Sequence, residues 1–404
     1  MKVGWRNATL DEIFEIGSSK RVLQKQWQNE GVPFYRAREI VKLAKQGSVE
    51  NDLFISEELF ADLKEKHGVP STADLMVSAV GTLGACYVVQ PEDRFYFKDA
   101  SVLRFHPKVN VCSRFYQYAF QWDGLLDTVK KSDGATVGTL TISRAKGISV
   151  PLPPLEEQQR IVAVLDEAFE GLARARAHAV ANLQNARDLF TANVDELLSR
   201  VGDDWSVGPL SKLVGPVATG PFGSLLHKSD YVENETPLVN PANIVDGQIV
   251  PDMRKTVNKS ALERLSSYIL DADDIVIGRR GEMGRCAVVE VEQAGWLCGT
   301  GSFFIRPNCG VVSRFVAHVL RSPSYVAKLE AVSTGATMAN LSNRVMGDLE
   351  IALPNREQQF GYLEVIEGFD EAAIRLESLF TTKLQDLDDL RQSLLQKAFA
   401  GELT

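Results

Sequence analysis

Two arginines set between glycines, Gly278-Arg279-Arg280-Gly281, are the residues in this chain best placed to address another polymer. An arginine fork can engage the acceptor pair on a guanine edge, and glycine lets a backbone come close to phosphate. The same run reads also as a solvated surface loop. Asn240 and Asn243 carry amides of the kind that pair with adenine edges. The corresponding region of the first copy is Tyr35-Arg36-Ala37-Arg38, where Arg36 and Arg38 could serve instead. The loop matching the arginine pair is Ser78-Ala79-Val80-Gly81, which keeps Ser78 and the glycine but has no arginine. Lys130 and Lys131 could hold phosphate or form a plain solvated face.

Bond-making chemistry is harder to find. The sequence has no Gly-x-x-x-x-Gly-Lys-Ser/Thr loop for nucleotide hydrolysis. Its five histidines are scattered, without His-Glu-x-x-His, and His178 reads better as a helix-face residue than as a metal ligand. Gly278, Gly281 and Gly284 are spaced by three, which is not the dinucleotide fingerprint. There is no Asp/Asn-Pro-Pro-aromatic run of the amino-methyltransferase kind. Asp252 near Lys255 could be imagined in a nuclease centre, but the spacing fits no metal–carboxylate pattern. Five cysteines without Cys-x-x-Cys indicate neither a disulfide framework nor a zinc site. No apolar run reaches the ~18 residues of a membrane span, and the first residues do not open a signal peptide. The expectation is a cytoplasmic, non-catalytic binding protein without metal or cofactor of its own.

The elements that must position these residues occur twice. Trp5, Leu10, Asp74, Gly81, Gly84 and Cys86 recur at a spacing of 200 as Trp205, Leu210, Asp274, Gly281, Gly284 and Cys286. Ser113-Arg114-Phe115 recurs as Ser313-Arg314-Phe315, and Pro154 with Glu157-Gln158-Gln159 as Pro354 with Glu357-Gln358-Gln359. Each copy is long enough to hold its own core. Leu75-Met76-Val77 and Ile275-Val276-Ile277 read as buried strands, with Cys86 to Val89 and Cys286 to Val289 as partners across a glycine-bounded loop.

Each copy ends in a long helix opened by prolines and first-turn glutamates. Phe169, Leu183 and Phe190 fall on one seven-residue frame and Leu172 on its companion. In the second helix Phe369, Leu376 and Leu390 hold one frame, and Phe380 and Leu387 the other. Such frames predict coiled-coil seams. Residues 155–199 would span about 67 Å. The expected organisation is therefore a globular domain at 1–153, a spacer helix at 154–201, a second globular domain at 202–353 and a second spacer helix at 354–404. The fold class is α+β, with two α/β domains and two helices paired as an antiparallel coiled coil about a pseudo-two-fold axis. In that arrangement Phe399 to Leu403 returns beside Trp5.

The net charge of −9 is unevenly distributed. Residues 1–153 carry 20 basic and 18 acidic side chains, and residues 201–353 carry 14 and 17. The helical segments 154–200 and 354–404 carry −3 and −5. The globular parts are near neutral, so the overall sign neither supports nor excludes DNA.

Taken together, these features resemble the DNA-specificity subunits of type I restriction-modification systems. The likeness rests on the doubled Pro-x-x-Glu-Gln-Gln run with its long helix. Further support comes from Gly-Ala-Thr at 134–136 and 335–337 and from the Asp-to-Gly runs 74–84 and 274–284. The resemblance implies that each globular target-recognition domain reads one half of a bipartite double-stranded DNA site. The helices would fix the gap and dock two modification (methyltransferase) subunits, which bring S-adenosylmethionine; motor-nuclease restriction subunits can join such complexes. The competing reading is a two-domain coiled-coil protein scaffold that binds no DNA.

Overall fold

A computed structural model describes residues 2, 4–131, 138–222, 225–279, 281–333 and 341–403. The chain divides into two compact units, Met1–Val180 with Thr381–Thr404, and Ala181–Phe380. Both boundaries fall inside long helices, so each unit holds one globular part, the start of one helix and the end of the other.

In the first unit an antiparallel sheet runs in the order Phe14–Gly17, Val102–Pro107, Leu75–Ser78, Cys86–Val88. Leu75–Ser78 is buried along its whole length, as its unbroken apolar run requires of a central strand. Beside it, Val32–Tyr35 pairs in parallel with Tyr96–Phe97. The outer strands Arg6–Thr9 and Ser149–Leu152 close the unit, and Leu152 leads directly toward the first long helix. Phe14, Phe105, Phe115 and Tyr116 fill the core with edge-to-face rings.

The second unit repeats this order with Val217–Thr219, Ser302–Ile305, Ile275–Gly278 and Cys286–Val288. Thr236–Val239 pairs in parallel with Leu297–Cys298, as Val32–Tyr35 does with Tyr96–Phe97. The units differ after that strand. The first continues into the helix Ala37–Gln46, whereas the second makes a short turn at Pro241–Asn243 and a hairpin, Ile244–Val245 with Gln248–Ile249.

The 200-residue register slips by one before each long helix. Leu152 pairs with Arg6 where Leu353 pairs with Ser206, so Pro153 matches Pro354 and Gln158 matches Gln359. The Gly-Ala-Thr runs at 134–136 and 335–337 lie outside the described residues.

The long helices run Leu155–Ser199 and Arg356–Ala400 without a break. Within the first unit Arg176 Nη1 reaches Asp388 at 2.9 Å, and the Arg391 guanidinium lies 4.1 Å from the Phe169 ring centre. The two contacts run in opposite directions along the two helices, so the segments are antiparallel there. Leu165 and Leu395 are fully buried in that unit's core, with Leu172 packed against it. Within the second unit Arg187 Nε meets Glu377 at 2.6 Å, and Phe190 and Phe369 pack against the core holding Val194 and Ile366.

The seam expectation needs one correction. Leu376 is 41% exposed and Leu390 48% exposed. The buried stripe continues instead through the half-buried positions Ala373, Glu377, Phe380, Leu384, Leu387 and Arg391. The expected frame through Phe380 and Leu387 lies on that stripe, whereas the charged Glu377 and Arg391 take the places expected of their neighbours Leu376 and Leu390. Leu183 is half-buried.

Candidate nucleic-acid interface

Four loops meet at the same end of the sheets in each unit. In the first, the Lys98 N–H donates to Tyr35 O at 2.8 Å and the Ala79 N–H to Ser101 O at 2.9 Å. Ser19 Oγ donates to Phe97 O at 2.6 Å, and Ser18 Oγ accepts from the Ala100 N–H at 3.1 Å. These bonds gather Ser18 to Lys20, Arg36, Ala79 and Lys98 to Ser101. In the second unit the Gly299 N–H donates to Val239 O at 2.8 Å, Arg279 N–H to Gly301 O at 3.0 Å and Gly220 N–H to Ser302 O at 3.0 Å. Backbones approach so closely that a Cβ on Gly299 would lie 2.8 Å from Val239 O, and it would also meet the Asn240 side-chain Oδ1 at 2.2 Å. Only glycine fits there.

A buried aspartate anchors each central strand. Asp74 accepts from the Ser71 N–H at 2.9 Å and lies 2.7 Å from His106 Nδ1. Asp274 accepts from the Asp271 N–H at 2.9 Å and from Arg306 Nε and Nη2 at 3.1 and 2.9 Å. Each pairing spans adjacent strands at equivalent positions and holds the loop-bearing strand in register.

The glycine-bounded loops turn where expected. Gly81 and Gly281 have φ of 69° and 80°, and nothing lies within 4 Å of a Cβ added to either. Gly84 and Gly284 also have positive φ, but a Cβ on Gly284 would sit 2.4 Å from Val326 Cγ2. The outer glycine thus leaves open space, and the inner one packs against a helix.

The sequence-nominated residues fare differently. The half-buried Arg279 places its guanidinium 5.6 Å from the Phe303 ring centre, at the loop junction. Arg280 lies outside the described residues. Asn240 stands at the junction, but Asn243 is occupied by the turn: Oδ1 accepts from the Asn240 N–H at 3.1 Å and Nδ2 donates to Val250 O at 3.0 Å. Ser78 is fully buried, and its Oγ accepts from the Ala85 N–H at 3.0 Å and donates to Thr82 O. That corrects its nomination, because it closes the loop from inside instead of facing out. Lys130 and Lys131 are exposed at the end of the helix Asp123–Lys130 and take no part in these loop bonds.

Arg36 and Arg38 reach the junction already engaged. Arg36 Nη2 donates to Glu39 Oε1 at 3.1 Å and Asp52 Oδ1 at 2.8 Å. Arg38 Nη2 donates to both Asp52 oxygens at 2.6 and 2.7 Å, and its Nε donates to Glu39. Burial pushes the Glu39 carboxyl upward, but hydrogen bonds from Arg36 and Arg38 outweigh it and hold the pKa below the usual glutamate value. The Arg38 hydrogen bond likewise lowers Asp52. Sequence reasoning passed over Lys20, Arg21 and Lys25, which are exposed and form no ion pair among the described residues. The short run Ser18-Ser19-Lys20-Arg21 was the available signal.

The family model for the type I restriction modification DNA specificity domain matches residues 2–178 and 221–385, most of the chain. The chain belongs to this family. A putative type I specificity subunit of Haemophilus influenzae is 30% identical over 171 residues, which are 41% of this chain and 40% of that protein. The chain thus spans about two fifths of that relative's length. The EcoBI specificity subunit of Escherichia coli is 21% identical over 99% of this chain and 86% of its own. Among solved structures, a type I restriction-modification assembly chain superposes with a TM-score of 0.74, at 18% identity, over 100% of this chain and 99% of that one. The HsdS subunit of Thermoanaerobacter tengcongensis gives 0.61 at 17% identity, over 100% and 98%. These share the fold.

In this specificity-family chain the Glu-Gln-Gln run has a defined mechanical role. Gln158 Oε1 accepts from the Cys112 N–H at 2.9 Å while Nε2 donates to Pro153 O at 2.8 Å. Gln359 repeats both bonds, with Val312 N–H and Pro354 O at 2.8 Å each. One buried amide thereby ties the first turn of each long helix to the globular part before it. The preceding residue is tied as well: Glu157 to Lys2 at 2.6 Å and Gln358 to Asp204 at 2.7 Å. Asp252 pairs with Arg254 at 2.8 Å, and no metal-binding group of histidine, cysteine, aspartate and glutamate occurs among the described residues. No described helix is long and apolar enough to cross a membrane.

Proposed function

We propose that this chain is the non-catalytic DNA-specificity subunit of a type I restriction-modification complex. Its residues 1–153 and 202–353 each read one half of a bipartite double-stranded site. The observation that carries this reading is the doubled loop junction with divergent side chains on a shared frame. The aspartate anchor, glycine turn and glutamine lock recur, whereas one junction carries Lys20, Arg36 and Lys98 and the other carries Asn240, Arg279 and Thr300. A repeated frame with different donors suits two half-sites of different sequence.

The long helices at 154–201 and 354–404 pair as an antiparallel coiled coil and set the unread gap between the halves. They also dock two methyltransferase subunits, which hold S-adenosylmethionine; this chain binds no cofactor itself. Matching exposed apolar positions support docking. Val164 and Val365 are 39% and 46% exposed, and Leu189 and Leu390 are 62% and 48% exposed. In the slipped register these are equivalent pairs, so each unit offers one valine and one leucine to a partner present twice. Their acidic surroundings favour protein over phosphate. Motor-nuclease subunits join the complex where the host makes them, and the cytoplasm is where it acts.

Co-expression with the cognate methyltransferase, followed by mapping of methylated host DNA, tests this. A split motif with a fixed gap should depend on this chain, and replacing residues 202–353 by those of another specificity subunit should alter one half only. A partner that assembles without any such motif would favour the protein scaffold.

A further inference from the structure

The Arg36, Arg38 and Asp52 cluster has the form of an anion site filled by the chain's own carboxylate. Glu39, 2% exposed, orients both guanidiniums from below, and its Oε2 also accepts the Arg36 N–H at 2.9 Å at the start of the helix Ala37–Gln46. Both arginines then converge on Asp52, whose side chain is 68% exposed, through three contacts of 2.6 to 2.8 Å. Asp52 is presented by an anchored backbone, because the next residue, Leu53, accepts the Phe34 N–H at 2.9 Å. Two guanidiniums held to one outer anion by separate Nη2 groups match a tetrahedral oxyanion, which offers several acceptor oxygens. A base edge would engage a single arginine. With Asp52 withdrawn, the two arginines and Glu39 leave one net positive charge at the loop junction.

We propose that Asp52 occupies, in the DNA-free protein, the place of a DNA phosphodiester, which displaces it when the first recognition domain docks. This rests on the DNA-specificity reading above. Arg36 and Arg38 then fix the register of the domain on the duplex and do not read bases. Asp52 keeps the pair neutral toward random polyanions until neighbouring contacts, such as those of Lys20 and Arg21, are also made. The carboxylate thus reduces binding to arbitrary DNA.

The test uses the full chain assembled with its methyltransferase, first confirmed to methylate a split motif. Failure of the unaltered complex to methylate any split motif would overturn DNA reading itself, independently of Asp52. Binding of a duplex lacking the motif is then measured across a salt series for the unaltered complex, for Asp52→Asn and for Asp52→Asn with Arg38→Ala. Asp52→Asn should bind the motif-free duplex more tightly, with the logarithmic salt slope steeper by about 0.9, one further phosphate neutralised. The double variant should fall back toward the original slope. A slope that is unchanged or shallower in Asp52→Asn, with thermal unfolding showing it folded, would overturn the proposal. So would a double variant that keeps the gain. If Asp52→Asn proves unstable, Asp52→Ser is measured instead, with the same two outcomes.

Discussion

At the scale of single residues, the second unit contains one histidine whose charge state is tied to folding. His318 lies on the helix Ser313–Arg321, and Arg321 Nη2 donates to its Nδ1 at 3.3 Å. That bond needs a neutral imidazole with its proton on Nε2. Burial, reinforced by the Arg321 charge, pushes the His318 pKa down to about 4. The folded state therefore refuses a proton that the unfolded chain accepts below about 6.5. Stability contributed by this group is complete above that value and is lost as pH falls toward 4. Between pH 7.5 and 4.5 the loss attributable to His318 should be roughly 2 kcal/mol, allowing for water at the edge of the site. Urea unfolding at both pH values would measure it, with His318→Gln losing correspondingly less. Equal losses in the two proteins would refute the assignment. The same chemistry separates the units, since Tyr118 stands at the matching position and donates to Asp166 instead.

At the scale of elements, the glutamine locks and the helix seam are the parts on which rigidity depends. Removing the Gln359 side chain leaves the Val312 N–H and Pro354 carbonyl without their partner in a buried setting. Each such loss costs about 1–3 kcal/mol. Gln359→Ala should therefore destabilise the second unit by roughly 2–4 kcal/mol, whereas Leu376→Ala, on an exposed position, should stay within about 0.5 kcal/mol. Chemical denaturation of the two variants checks the contrast, and a larger effect at Leu376 would restore the seam frame that includes it. Much at this scale was legible beforehand. The strands at Leu75 and Ile275 followed from apolar runs, and the helix Leu155–Ser199 from a seven-residue period that persists past an interruption at Arg176. In the second seam Phe380 and Leu387 were legible but the places given to Leu376 and Leu390 were not, because Glu377 and Arg391 lie there through long side chains whose stems can pack while their ends stay polar. The engagement of Arg36 and Arg38 was equally hidden, since Asp52 lies 14 residues beyond Arg38 and only the fold brings it back. Ser78 misled for the opposite reason. A serine beside a glycine loop reads as exposed, yet it is the residue that closes the loop from within.

At the scale of the whole molecule, the two ends of the chain close a pattern that the middle of the chain makes covalently. In the second unit the last turns of the first long helix, at Val194 and Leu198, pack with Trp205 in one core, and the chain runs between them through residues 199–204. In the first unit Leu395, Ala398 and Phe399 from the end of the second helix pack with Trp5 in the same way. Phe399 also stacks on Trp122 with ring centres 5.3 Å apart. There Gly401 comes close to Lys2, and a Cβ on Gly401 would lie 3.0 Å from Lys2 Cβ. The sequence order globule, helix, globule, helix already implied this return beside Trp5. The same packing therefore holds each helix end to its globular part. A permuted chain should follow, with residues 403 and 2 joined by a linker of about six Gly/Ser residues and new ends opened between Arg200 and Asp204. It should unfold cooperatively, with a midpoint within roughly 5 °C of the original, since a cut at an exposed connection removes few packed groups. Thermal unfolding followed by circular dichroism would measure this. A permutant that unfolds in two separated steps, with the second unit lost first, would mean that the connection at 200–204 carries stability beyond the Trp205 packing.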